Sequence, residues 1–196
     1  IVTQLQKYNV ASVRPEIVDP EITKILLTSN IKYDEKATTK TSTTLKSDVL
    51  TTITNYNTNT LSQFDGVFRF SKLSSLIDGT DNSILSNITT LKIRKDFTPT
   101  LASSTRYDVY FRNALYNPHS GHNTAAGGIL ESSGFKISGD SSTVFFLDDD
   151  GQGNVRRYSF SGATRVYANN TQGTIDYTTG AITINSLSVL SVENIR

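Results

Sequence analysis

The chain has 196 residues, enough for one large domain or two small ones with a core. Its 19 basic and 18 acidic side chains leave a formal net charge of +1, which is not the clustered positive charge used to grip nucleic acid or an anionic membrane. Cysteine is absent, excluding disulfides and thiolate metal sites, and no apolar run approaches the ~18 residues of a membrane-spanning helix.

In chain order, residues 1–20 read as an extended lead-in that contains Ser12-Val13-Arg14-Pro15-Glu16-Ile17-Val18-Asp19-Pro20 and runs on into Glu21-Ile22. The chain opens at Ile1 with neither a methionine nor a signal peptide, so it reads as a fragment of a longer protein. Residues 22–33 alternate, with Ile25, Leu27, Ile31 and Tyr33 on one face and Lys24, Thr28 and Lys32 on the other. That period of two predicts a half-buried strand. A Thr/Lys/Ser run from Lys36 to Thr44 offers several helix N-caps. From Leu45 the period lengthens. Leu45, Val49, Leu50, Ile53 and Tyr56, continued by Leu61 and Phe64, form the apolar stripe of an amphipathic helix. Five threonines between 51 and 60 are poor helix formers, so packing must hold this helix together.

A short apolar piece, Val67-Phe68-Arg69-Phe70, precedes a second helix carrying Leu73, Leu76 and Ile77, with Ser71 as a candidate cap and Gly79 as its stop. Residues 84–95 return to strand, Leu91 and Ile93 alternating with Lys92 and Arg94. The order β-α-(β)-α-β predicts a small α/β open-faced sandwich over residues 21–97, helices on one sheet.

Pro99 marks a shift, after which ten of the 12 glycines follow residue 120 and helical periodicity ends. Ser, Thr and Asn make up about a third of the chain, against ordinary globular usage; with 9 Tyr, 9 Phe and little net charge this points to β-structure with polar outer faces, not disorder. Candidate strands are Tyr107 to Phe111, Val144 to Leu147, Val155 to Phe160 and Thr164 to Ala168. The last candidate is a glycine-bounded hairpin, Gly173-Thr174-Ile175-Asp176-Tyr177-Thr178-Thr179-Gly180-Ala181-Ile182-Thr183-Ile184, in which Ile175 and Tyr177 share a face, as do Ile182 and Ile184. Residues 98–196 therefore read as a mostly antiparallel β-rich domain, and the whole chain as α+β.

Three constellations bear on chemistry. Asp148-Asp149-Asp150-Gly151-Gln152-Gly153-Asn154 sets three carboxylates in a Gly-rich turn, but an EF-hand needs a bidentate Glu at its twelfth position. Counting from Asp148 or from Phe146 puts Ser159 or Arg157 there, so the run reads as a hairpin turn. His119 and His122, the only histidines, flank Ser120-Gly121 after Pro118, in a loop and short of a zinc ligand set. Arg156-Arg157-Tyr158 and Arg106-Tyr107 pair cations with aromatics as single-strand nucleic-acid grooves do, yet as isolated pairs on alternating strands they read as outer-face or interface residues. There is no Gly-x-Ser-x-Gly elbow, Gly127-Gly128 lacks a phosphate-loop lysine, and carboxylates such as Glu16, Glu35, Glu131 and Asp176 form no recognisable pair. No catalytic, cofactor-binding or metal-ligating residues are assigned, and no cofactor is expected.

The Gly173–Ile184 hairpin and the Ser12–Ile22 stretch resemble the baseplate wedge proteins of T-even-type contractile-tailed bacteriophages, relatives of the BaseplateJ-like family, and the resemblance runs along the chain as a carboxy-terminal portion. It implies a structural, non-enzymatic component of the virion, assembled in the bacterial host cytoplasm. It further implies self-pairing as a homodimer or ring, binding to other wedge proteins around the hub, and relay of a conformational switch to sheath contraction. Nucleic acid, membrane and small-molecule substrates are not expected as partners. The rival reading is a glycan-binding module using the Tyr- and Asn-rich loop from Asn113 to Asn123.

Overall fold

The computed structural model describes residues 22–63, 66–122 and 128–193, so the expected lead-in over 1–20 lies outside the described residues. The chain divides into two compact units, the first spanning Lys24–Arg94 and the second built from Lys95 onward.

The first unit is a two-stranded antiparallel sheet, β1 (Lys24–Tyr33) against β2 (Ile84–Arg94), with two helices between them in sequence. Ile25, Leu27, Ser29 and Ile31 face one way, opposite Ile93, Leu91, Thr89 and Asn87. Directly opposed residues share a face, so this side of the ribbon is the one the helices meet. Helix α1 (Ser42–Tyr56) starts at Thr41, whose hydroxyl accepts the Thr44 amide at 3.2 Å and satisfies one of the amides that helix starts leave unpaired. Thr51, Thr54 and Thr58 donate their hydroxyls to carbonyls four residues back, which partners side chains that would otherwise compete with the helix. The helix then widens into a π-turn over Asn57–Leu61.

Helix α2 (Phe70–Asp78) begins at Arg69 with no side-chain cap, so Ser71 lies within its first turn and is not the cap that spacing suggests. Gly79 does end it. The apolar piece before it is not a strand. Phe68 instead packs edge-on against Tyr56, ring centroids 6.4 Å apart, and the Arg69 amide donates to the Tyr56 hydroxyl. Val49, Tyr56, Leu73 and Ile77 form the core, with Leu27, Ile31, Ile53, Leu61, Phe68 and Ile84 packed on it. Leu50 is 54% exposed. It lies about 100° around the helix from Val49, beyond the reach of the core side chains.

The second unit is one seven-stranded antiparallel sheet in the order β3-β8-β7-β6-β5-β4-β9. The strands are β3 (Thr105–Tyr110), β4 (Phe135–Ile137), β5 (Asp140–Asp149), β6 (Asn154–Ser161), β7 (Thr164–Asp176), β8 (Ala181–Leu187) and β9 (Val189–Val192). The α+β class expected from the sequence is the one observed. The stretch Thr164 to Ala168 and the first hairpin arm are a single strand, β7, which shifts register twice against β6. At the bulge Asn169 accepts the Thr171 amide at 2.8 Å.

Strands β8 and β9 are separated by Ser188 alone, and Ser186 adopts φ +46°. The bend lets one length of chain pair with β3 and β7 and the next with β4. Strands that turn a corner at such bends curl a sheet onto itself. Leu101 adds an isolated parallel bridge to Val189 on the end strand. Inside the curl lie Phe135, Phe145, Leu147, Val155, Ile175, Ile182, Ile184, Leu187 and Val189. Tyr177, expected beside Ile175 in the strand, falls in the turn after β7. No helix among the described residues is long and apolar enough to cross a membrane.

Candidate protein interface

The acidic run at the end of β5 is absorbed into the second unit. Asp148 is fully buried and accepts hydrogen bonds from Arg156 Nε at 2.9 Å, Arg165 Nη1 at 2.8 Å and the Tyr167 hydroxyl at 2.8 Å. Asp149, also fully buried, accepts from the Tyr177 hydroxyl at 2.7 Å and from the amides of Leu130 and Gly151. Burial, and then the bond to Asp149, push the Tyr177 phenol well above its usual range, so it stays a donor. Asp150 accepts the Gln152 and Asn154 amides and the Asn154 side chain. Each carboxylate of the run is thus engaged by protein donors. Buried charge is tolerable when it is paired and hydrogen-bonded in this way.

The other sequence candidates scatter. The rings of His119 and His122 lie 5.7 Å apart, each with Nδ1 at 3.2 Å from a carbonyl oxygen of their own loop, Ser120 and His119 respectively. Among the described residues no group of three or more His, Asp or Glu side chains is disposed to hold a metal ion. Arg156 is buried against Asp148. Arg157 lies over the Phe145 ring at 5.2 Å, its pKa lowered by burial, and Arg106 pairs with Asp108 at 2.9 Å. These cations therefore do not line up along a groove. In the loop proposed for sugars, Tyr116 is well exposed, its ring edge-on to His122.

What the residues do assemble is a surface. On the far side of the β1–β2 ribbon Lys24, Leu26, Thr28, Asn30 and Lys32 stand opposite Arg94, Lys92, Thr90, Ile88 and Ser86. Among the described residues of the ribbon, Lys24, Lys32, Lys92 and Arg94 share this face with the apolar Leu26 and Ile88. Ile88 is 70% exposed, and Leu85, in the bulge where the register shifts, is 61% exposed. A two-stranded sheet also leaves the outer edge of each strand without a neighbouring strand among the described residues. Such edges and apolar positions on a small domain are what a partner covers. The helix α1, whose amphipathic pattern is readable from sequence, turns its apolar stripe to its own core.

Comparison with known families falls on this unit. Residues 23–96 match the family described as baseplate structural protein gp6, C-terminal domain III. This unit is a phage baseplate domain. The match takes in both strands of the ribbon and both helices. It lies between the two stretches, Ser12–Ile22 and Gly173–Ile184, on which the resemblance in the sequence was read. The family's T4 namesake is a baseplate wedge protein. The chain is accordingly a structural component of the phage tail baseplate in the virion, and not an enzyme. No curated protein matches it.

Proposed function

We propose that the chain is a wedge component that pairs with itself and with other wedge proteins, linking wedges into the ring around the hub and passing the ring's rearrangement on to sheath contraction. The observation that carries this reading is the exposed outer face of the β1–β2 ribbon within the baseplate domain. Ile88 and Leu85 are the most exposed apolar groups there. Exposed apolar side chains on an open ribbon of a small domain are what a partner surface covers.

The test is sedimentation velocity of the purified chain over a wide concentration range, alone and mixed with other wedge proteins. Wild type is expected to associate. Ile88→Glu combined with Leu85→Glu changes only exposed positions, so it keeps the fold and needs at least tenfold higher concentration to associate. A wild-type chain that stays monomeric and binds no other wedge protein overturns the reading.

A further inference from the structure

Strands β6 and β7 carry a second surface, on the side of the sheet away from the core cluster. Tyr158 and Tyr167 are directly paired across the strands, as are Phe160 and Arg165, so all four side chains share that side. The Tyr158 ring meets Phe160 at 5.4 Å and Tyr167 at 5.7 Å, centroid to centroid. The Arg165 guanidinium lies 4.5 Å over the Tyr158 ring. Exposure is graded across the cluster: Tyr158 is buried, the Arg165 side chain is 23% exposed and Phe160, beside the hairpin tip, is 50% exposed.

Arg165 is held by one arm. It donates Nη1 to Asp148 at 2.8 Å, and no other hydrogen bond or ion pair of this side chain is formed among the described residues. A guanidinium has five N–H donors in a rigid fork. Asp148 also accepts from Arg156, so one carboxylate is shared by two guanidinium groups. The stacked ring and the Asp148 bond fix the orientation of Arg165 before any partner arrives, which lowers the entropy lost on binding. A pinned arginine with spare donors beside a half-exposed phenylalanine is the composition of an interface hot spot.

We infer that this face of the β6–β7 hairpin docks a protein other than this chain, through a carboxylate side chain flanked by an apolar one. Arg165 receives the carboxylate and Phe160 packs against the apolar group. The partner being a baseplate protein rests on the function proposed above; the chemistry of the site does not. Glu131 is the acid within the chain whose charge also acts on Tyr158, so the variant Glu131→Gln serves as the control for an internal occupant.

The experiment is an NMR titration of the full chain, following backbone amides and arginine Nε–H signals, with 3-phenylpropionate as the probe. The compound joins one ring to one carboxylate. Saturable shifts are expected at Arg165 and Phe160. The uncharged amide of the same compound should bind at least tenfold more weakly, as should Arg165→Gln with the acid. Phe160→Ser, at a half-exposed position, is the second variant should Arg165→Gln fail to fold, and it should weaken binding several-fold. Equal responses to acid and amide, or unchanged binding in Phe160→Ser, overturn the inference. So does a response that appears only in Glu131→Gln, which places the occupant inside the chain. Preference for glucuronate over 3-phenylpropionate also overturns it, in favour of a saccharide. Self-association lost in Arg165→Gln overturns it too, by seating a second copy there. Sedimentation of the same samples keeps the two proposals apart, because association through the ribbon does not require Arg165.

Discussion

Asp148 shows how a surface-looking motif becomes interior structure. Three adjacent aspartates before Gly151 read as a turn, and Asp150 does serve the turn through the Gln152 and Asn154 amides. Strand alternation sends Asp148 and Asp149 to opposite faces, and both are fully buried. Their partners Arg156, Arg165, Tyr167 and Tyr177 lie 8 to 28 residues away. That separation is why the charge cluster was not legible in the sequence; only Arg156, directly across the hairpin, was within reach of local reasoning. The energetic consequence is asymmetric. Replacing Asp148 by Ala removes the carboxylate that Arg156 and Arg165 share, and breaking a buried pair from one side costs about 3–5 kcal/mol. Equilibrium urea unfolding of Asp148→Ala should show a loss of that order. Asp108→Ala, which breaks the exposed pair with Arg106, should cost far less, because solvent screens the pair.

At the scale of elements, alternation and turn chemistry carried most of the information. Strand β1 and the long strands β5 to β8 follow their apolar pattern, because each has one face on a core that punishes a register slip. Strands β4 and β9 were not legible: at three and four residues they are too short to show a period, and β9 exists because the chain bends at Ser186. The hairpin Gly173–Ile184 owes its register to its glycines. Gly173 faces Ile184 across the pair, and a Cβ at that position would collide with the Thr183 carbonyl oxygen. Gly180 sits at φ +70°, and a Cβ there would strike the Asn113 carbonyl oxygen. Forcing extra atoms into such a contact costs about 1–3 kcal/mol. Gly173→Ala should therefore lower the melting temperature clearly, while Gly162→Ala, at the open hairpin tip where a Cβ meets nothing within 4 Å, adds only the strain of its φ of +61° and should cost less.

At the scale of the whole molecule, the two units have separate cores with no residue in common: Val49, Tyr56, Leu73 and Ile77 in one, and the nine-residue cluster inside the curled sheet in the other. The baseplate family match covers the first. A unit with its own core can fold alone, but a two-stranded ribbon with two helices is a small one, and domains of this size are marginal. Expressed separately, residues 98–196 should unfold cooperatively with near-UV dichroism from their packed tyrosines. Residues 21–97 should also fold, but with lower stability and a melting temperature that rises with protein concentration, because association stabilises the folded state by mass action. The double variant Ile88→Glu, Leu85→Glu should abolish that concentration dependence without lowering the melting temperature at high dilution. If residues 21–97 melt at one temperature over a hundredfold range of concentration, the ribbon face is not a self-association surface. If they do not fold at all, the two units are not independent, and the division near residue 98 is wrong as a folding boundary.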